Sequence, residues 1–250
     1  MKKFFEELLR VYKKIPLPAK ASMWFVFCSV VQKGIAFITT PIFTRMMSTK
    51  EYGLVSVYSS WVSILTVVLT LQLATGVYNK AMIRYEEQRN EYTSSMLFLT
   101  TLLISGGLGI FLLFPKQLSN ALGMSTSLII AMFVDLIFSQ AMSFWTVRNR
   151  FEYEYKDIVG YTIASTFFST FGSVIAIYLF PEHKAYARIY AMVLVHIVIY
   201  SVVYYKIMRT GRKTVWKEAW KYALHYNIPL IPHYLSQQVL NQADRLMINR

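Results

Sequence analysis

Charged residues occur inside or beside several long apolar stretches of this sequence. Lys33 and Asp135 lie near the middle of two stretches, and Asp244 and Arg245 lie near the end of another. A charge at the centre of a bilayer costs a few kcal/mol, so such a residue usually faces a partner or a hydrated cavity. A lysine there attracts anionic groups, and a carboxylate binds a proton or a cation. The alternative is a Lys33–Asp135 ion pair that only locks two helices together.

Polar residues also recur at helical spacing in five of these stretches. The five stripes are Ser22, Ser29, Lys33, Thr40 and Thr44; Ser56, Ser59, Ser63, Thr66 and Thr70; Asp135, Ser139, Ser143 and Thr146; Thr162, Ser165, Thr166, Ser169 and Ser173; and His233, Gln237, Asn241 and Asp244. This spacing places the members of a stripe on one helix face. A single stripe is explained by hydrogen bonding between helices. Stripes in five stretches predict a shared, hydrated cavity.

The sequence has no recognisable catalytic or metal-binding motif. It lacks the glycine-rich loop of ATPases, the HExxH pattern of metalloproteases and the Gly-x-Ser-x-Gly pattern of hydrolases. His225 and His233 can share a helix face but have no third ligand nearby, and Cys28 is the only cysteine. His196 lies alone among Val, Ile and Leu, which favours a packed, hydrogen-bonded role over a proton relay. We therefore expect neither an enzyme nor a bound cofactor.

Long apolar stretches must position these residues. Hydrophobic residues make up 55% of the 250 residues and charged residues 16%, whereas soluble domains carry about 25% charged residues. Inside a bilayer the backbone must satisfy its own hydrogen bonds, so repeated spans form helices. The sequence therefore predicts an all-α, polytopic membrane helical bundle. Seven stretches have about the 20 residues that a spanning helix needs: Ser22–Thr44, Leu54–Val77, Ser94–Phe114, Thr126–Val147, Ile158–Phe180, Ile189–Tyr205 and Leu224–Ile248.

The basic residues are distributed unevenly between the ends of the predicted spans. The chain has 26 Lys and Arg against 13 Asp and Glu. Eighteen of the 26 precede the first span or lie in the second, fourth and sixth connections, and five lie in the alternate connections. Basic residues concentrate on the cytoplasmic side of membrane proteins. The pattern predicts a multi-pass protein of the cell (cytoplasmic) membrane with a cytoplasmic N-terminus. It explains the net charge of +13 without a nucleic-acid partner.

The same pattern divides the chain into four parts. Residues 1–20 have apolar residues at helical spacing between Lys and Glu, which predicts an amphipathic segment on the cytoplasmic surface or one docked on the bundle. Residues 21–205 hold six transmembrane helices. Residues 206–223 form a basic cytoplasmic linker, and residues 224–250 hold a seventh transmembrane helix.

Three strings of the sequence share features with a known family. Gly34–Gly53 is an apolar helix with Pro41 near its end, followed by Arg45 and a short loop to Glu-Tyr-Gly. The other strings are Arg148–Tyr155 and Tyr226–Ile248. Together and in this order they resemble polysaccharide transporters, the Wzx-type flippases of the multidrug/oligosaccharidyl-lipid/polysaccharide exporter superfamily.

The resemblance implies two lobes of six helices, arranged as an inverted V around a cavity that opens alternately to each side. It implies that the substrate is a polyprenyl-pyrophosphate-linked oligosaccharide, moved across the cytoplasmic membrane for O-antigen, capsule or exopolysaccharide synthesis. Members of the family have about twice as many spans. We therefore expect a fragment that comprises the six-helix N-lobe and the first helix of the second lobe. The strings Arg45-Met-Met and Arg245-Leu-Met are consistent with a repeat of this kind.

Depth and charge suggest roles for individual residues in such a transporter. Lys33 would attract the pyrophosphate, and polar and aromatic groups would contact the sugar. The expected partners are the lipid-linked oligosaccharide and the lipid bilayer, with a polysaccharide polymerase and export machinery as further candidates. The candidate substrate-binding residues are Lys33, Arg45, Arg245, Gln32 and Ser63, and the candidate ion-coupling residues are Asp135 and Asp244, which would bind H+ or Na+.

Three other functions stay open at this point. A drug or cation antiporter of the same superfamily would favour acidic cavity residues, whereas the embedded charges here are mixed. A membrane glycosyl- or phosphoglycosyltransferase would need clustered carboxylates in a loop. The densest acidic segment has Glu86, Glu87 and Glu91 interleaved with Arg84 and Arg89, which is typical of a solvated loop. The third alternative is a non-transporting scaffold of an envelope-assembly complex.

Overall fold

The computed structural model describes residues 15–247, with side chains up to Gln242. Within that part of the chain the structure consists of helices and turns, without strands. Two short 3-10 helices span Glu86–Gln88 and Ile228–Leu230. The α-helices are α1 (Leu17–Met46), α2 (Thr49–Thr70), α3 (Tyr78–Arg84), α4 (Arg89–Leu113), α5 (Pro115–Leu122), α6 (Thr126–Phe151), α7 (Tyr155–Leu179), α8 (Lys184–Gly211), α9 (Lys217–Asn227) and α10 (Ile231–Met247).

Six of the described helices are long and apolar enough to cross a membrane, namely α1, α2, α4, α6, α7 and α8. This confirms the predicted polytopic helical bundle. The seventh predicted stretch is divided among α9, a 3-10 helix and α10, because Pro229 and Pro232 lack backbone donors. The 17 residues of α10 include several amide side chains, and a seventh span there stays a prediction. Residues 1–14 of the predicted amphipathic segment lie outside the described residues.

Local sequence signals explain where α1 and α2 begin. α1 starts behind Pro16 with Pro18 in its first turn, where a missing N–H removes no helical hydrogen bond. α2 starts with a capping box: the Glu51 N–H donates to the Ser48 hydroxyl, and the Ser48 N–H donates to the Glu51 carboxylate. Such a box satisfies two backbone donors at the start of a helix. It accounts for the glutamate of the Glu-Tyr-Gly string.

α2 ends earlier than the hydrophobic pattern predicts. The apolar stretch continues to Val77, but the helix stops at Thr70. Leu71 and Gln72 adopt positive φ angles of 52° and 53°, so the chain turns there into α3. The residues after the turn are apolar because they pack in the core, where Leu73 and Val77 are fully buried.

α8 lies at the centre of the bundle and packs on α4, α6 and α7. α1 packs mainly on α7, while α2 contacts α4, α6 and α8 and also packs against α10. Two large apolar clusters fill the interior. Tyr78, Tyr92 and Phe144 lie in one cluster, and Met132 and Ile189 lie in the other. The long helices α2, α4, α6, α7 and α8 each contribute a buried side chain to one or both of these clusters.

Basic side chains at one end of the bundle lie over aromatic rings, and we call this the basic end. Each contact adds a cation–π attraction to the packing of the ring. A hydrogen bond with the Tyr226 hydroxyl also raises the pKa of Lys80. The pairs, with the distance from the cation to the ring centre, are Lys80–Tyr226 (4.5 Å), Arg84–Tyr222 (4.6 Å), Arg89–Phe151 (4.8 Å), Arg150–Phe25 (5.1 Å) and Lys213–Trp216 (3.8 Å).

At the opposite end, two basic residues of α8 hold the last turn of α1. The Lys184 ammonium donates to the Met46 carbonyl at 2.8 Å, and such a cation is favourable at the carbonyl end of a helix. The Arg188 guanidinium lies 3.7 Å from the centre of the Phe43 ring. Lys184 and Arg188 thus attach the end of α1 to the bundle.

Asn227, the last residue of α9, anchors the turn between α2 and α3. Its side-chain amide donates to the Leu71 carbonyl at 3.0 Å, and its Oδ1 atom accepts from the Val77 N–H at 3.0 Å. Asn227 is fully buried. Gly76 is so close that a Cβ atom there would lie 2.5 Å from the Asn227 Oδ1 atom. The turn after α2 and the segment before α10 are therefore joined.

Candidate functional site

Asp135 of α6 is a buried carboxyl residue, with 4% of its surface exposed. The Nδ1 atom of His196, on α8, lies 2.8 Å from the Asp135 Oδ1 atom. The Ser139 hydroxyl donates to the same oxygen at 3.2 Å. Asp135 lies roughly 15 Å along α6 from its first residue, at a rise of about 1.5 Å per residue. The structure therefore brings together two residues that the sequence suggested separately, and His196 has the hydrogen-bonded role expected of it.

Two tyrosines surround the Asp135–His196 pair. Tyr58 of α2 is 1% exposed, and its hydroxyl has no hydrogen-bond partner among the described residues. That hydroxyl lies within electrostatic range of Asp135. The Tyr200 ring stacks on the His196 ring with 4.9 Å between their centres. Three helices, α2, α6 and α8, thus converge on one buried polar cluster.

The predicted polar stripe of α1 lies on an exposed helix face. Within the part of the chain that the structure describes, its hydroxyls donate only to carbonyls of α1 itself. The buried residues of α1 are Ala21, Cys28 and Phe43. Among the described residues no acid pairs with Lys33, so the Lys33–Asp135 ion pair is not formed. The exposed members of the stripe are Ser22, Ser29, Lys33, Thr40 and Thr44.

The other candidate substrate-binding residues of α1 and α2 have different surroundings. The Gln32 amide donates to the Thr166 hydroxyl of α7 at 3.4 Å, so it holds α1 against α7. Ser63 is half-buried and donates to a carbonyl one turn earlier in α2. Arg45 is exposed in the last turn of α1. Lys33 and Arg45 therefore lie on exposed surface, whereas Gln32 is already hydrogen-bonded.

α10 contacts the bundle through α2. The Ser60 hydroxyl donates to the Gln242 Oε1 atom at 3.0 Å, and Ser60 is fully buried. The stripe pattern selected neighbours of Ser60 on α2 but missed Ser60 itself, because its partner is 182 residues away in the sequence. The side chains of Asp244 and Arg245 lie outside the described residues, so their predicted roles stay predictions.

The described residues thus present two separate kinds of polar group. One face of α1 exposes hydroxyls and an ammonium, which can bind sugars and phosphates. The bundle interior holds a carboxylate–imidazole pair, which can bind a proton. The part of the chain that the structure describes has no group of three or more His, Cys, Asp or Glu that could hold a metal ion.

Six long apolar helices, a buried ionisable pair and an exposed polar helix face define a polytopic α-helical membrane protein. The family model described as polysaccharide biosynthesis protein matches residues 19–250. The chain therefore belongs to the polysaccharide biosynthesis protein family, which confirms the resemblance to the N-terminal half of a Wzx-type flippase. In general terms it is a polysaccharide-related transporter. No match was found among the curated proteins or the solved structures.

Proposed function

We propose that this chain is part of a flippase that moves polyprenyl-pyrophosphate-linked oligosaccharide units from the cytoplasmic to the outer leaflet of the cell membrane. The observation that carries the proposal is the exposed polar face of α1, with Lys33 in its middle. An ammonium in the middle of a span is destabilising against lipid, so Lys33 needs a hydrated neighbour. The central cavity of a transporter provides one.

The chemistry of such a substrate fits the residues on this face. Lys33 would attract the pyrophosphate, because an ammonium and a phosphate interact strongly where water is scarce. The hydroxyls beside it would bind the glycan, while the lipid tail stays in the bilayer. Arg45 and Arg245 would attract anionic groups near the end of the bundle opposite the basic end. Gln32 and Ser63, each already in one hydrogen bond, have acceptor capacity left for sugar hydroxyls.

The basic end would face the cytoplasm, which places the N-terminus and the loading of substrate on that side. The glycan would leave at the opposite end, where a polysaccharide polymerase or export machinery would receive it. Asp135 and Asp244 would bind the coupling ion, H+ or Na+. In this proposal the protein moves the glycan across the membrane and does not alter it chemically.

The test substitutes Lys33 in cells whose export of polysaccharide depends on this protein. Lys33→Ala should abolish surface polysaccharide and leave lipid-linked units on the cytoplasmic side, at a normal level of protein in the membrane. Lys33→Arg, which keeps the charge, should retain part of the export. Lys116→Ala is the matched control, because Lys116 is exposed on α5 outside the apolar spans. Normal export by Lys33→Ala would remove Lys33 from the mechanism.

A second measurement separates a transporter from a transferase. The purified protein is incubated with nucleotide sugars and a polyprenyl-phosphate acceptor, and the lipid fraction is analysed for added sugar. We expect no transfer. Sugar transfer would overturn the proposed function.

A further inference from the structure

We propose that the Asp135–His196 pair is a proton-binding site, and that His196, together with Asp135, carries the proton. The distance of 2.8 Å between Nδ1 and Oδ1 lets the imidazole donate to the carboxylate. The second ring nitrogen, Nε2, is then an acceptor in the neutral imidazole. Proton uptake there converts a pair of charge −1 into an imidazolium–carboxylate pair of charge zero.

The surroundings of the pair favour uptake of one proton. Among the described residues, Asp135 forms no ion pair with Lys or Arg, and His196 is its only ionisable partner. An uncompensated buried charge costs far more than a paired one. One bound proton removes the net charge of the pair. The two groups are tightly coupled, so the proton belongs to the pair as a unit.

Among the described residues, no Lys, Arg or other acid pairs with Asp135 or His196. α6 places Ser139 beside the pair, α8 places Tyr200 against His196, and α2 places the Tyr58 hydroxyl within electrostatic range of Asp135. The segment of α4 that packs on α6 has no titratable residue after its first turns, and α7 has none between Tyr161 and Tyr178. These phenols stay neutral in the range where an imidazole ordinarily titrates. His196 and Asp135 are therefore the groups that change charge.

The ligand set favours a proton over an alkali cation. Hard cations bind to several oxygen ligands, whereas the Asp135 Oδ1 atom already accepts hydrogen bonds from an imidazole nitrogen and from the Ser139 hydroxyl. The site therefore suits H+, and this choice narrows the ion left open by the sequence.

A route from the pair to lobe movement runs through α2. The Tyr58 hydroxyl of α2 lies within electrostatic range of Asp135, and Ser60, two residues later, donates to Gln242 of α10. A change of charge at the pair thus acts on the helix that contacts α10. This role in transport rests on the proposed function, whereas proton binding itself does not.

The direct test observes the imidazole of His196. His183, His225 and His233 are exposed, so a chain with His183→Gln, His225→Gln and His233→Gln retains His196 alone. The purified full chain, labelled with ¹⁵N-histidine in lipid nanodiscs, is titrated by NMR from about pH 5 to 8. We expect one transition between neutral and protonated imidazole. An imidazole that stays in one state across this range would overturn the proposal.

The role of Asp135 is tested in the same chain. Asp135→Asn keeps the size of the side chain but removes its charge, and should weaken proton binding at His196 by about tenfold or more. Asp157→Asn is the matched control, because Asp157 pairs with Lys206 at an exposed site and should leave the titration unchanged. An unchanged titration in Asp135→Asn refutes the pair. If a chain whose His196 binds no proton still supports export of polysaccharide, the proton site is refuted and the proposed function is not. If His196 binds a proton but the chain does not support export, the proposed function is refuted and the proton site is not.

Discussion

Replacement of Asn227 by Ala tests how firmly the turn after α2 is anchored. The change removes the partners of the Leu71 carbonyl and the Val77 N–H, each bound at 3.0 Å. A buried backbone group left without a partner costs about 1–3 kcal/mol. Val77 is fully buried and Leu71 half-buried. Water can therefore replace the lost hydrogen bond of the Leu71 carbonyl but not that of the Val77 N–H. We therefore expect a loss of about 3 kcal/mol in the free energy of unfolding.

The assay is thermal unfolding of the purified protein in detergent, followed by tryptophan fluorescence. For a chain of this size a loss of about 3 kcal/mol corresponds to a fall of about 10 °C in the midpoint. Asn79→Ala is the matched control, because Asn79 is exposed on α3 near the same turn. A midpoint for Asn227→Ala equal to that of Asn79→Ala would refute the anchoring argument.

Two further changes test close packing and the attachment of α1. Gly211→Ala places a Cβ atom in contact with the Ser94 hydroxyl and the Asn90 carbonyl. α8 and α4 must then separate, so the melting midpoint should fall by several degrees. An unchanged midpoint would show that the two helices adjust freely. Lys184→Ala removes the charged donor to the Met46 carbonyl and should cost about 1–2 kcal/mol, measured as increased amide exchange in the last turn of α1. Lys184→Arg should restore protection, and equal exchange in all three proteins would contradict the prediction.

The spans were predictable because a lipid-facing helix cannot carry frequent charges. The same hydropathy could not locate the end of α2, because Leu73 and Val77 are as apolar as a span but pack in the core behind a turn. The turn depends on positive φ angles at Leu71 and Gln72, and neither residue type signals them. Helix composition is visible in a sequence, whereas the register of a turn is set by tertiary contacts.

The candidate site was predictable residue by residue but not as a set of contacts. Asp135 and His196 both stood out as polar groups in apolar surroundings, yet 61 residues separate them, and only the packing of α6 on α8 pairs them. The exposed stripe on α1 was visible from its spacing. Asn227 gave no signal, because a single amide near a proline is typical of many ordinary loops.

The central position of α8 has a consequence for the synthesis of the protein. α8 is the last of the six long helices to be made, and α4, α6 and α7 all pack on it. The interior of the bundle therefore cannot close until translation has passed Gly211. Until then Asp135 is in the membrane without His196, and its neutral form is the one that costs least there. Assembly of the nascent bundle is thus tied to the late insertion of one helix.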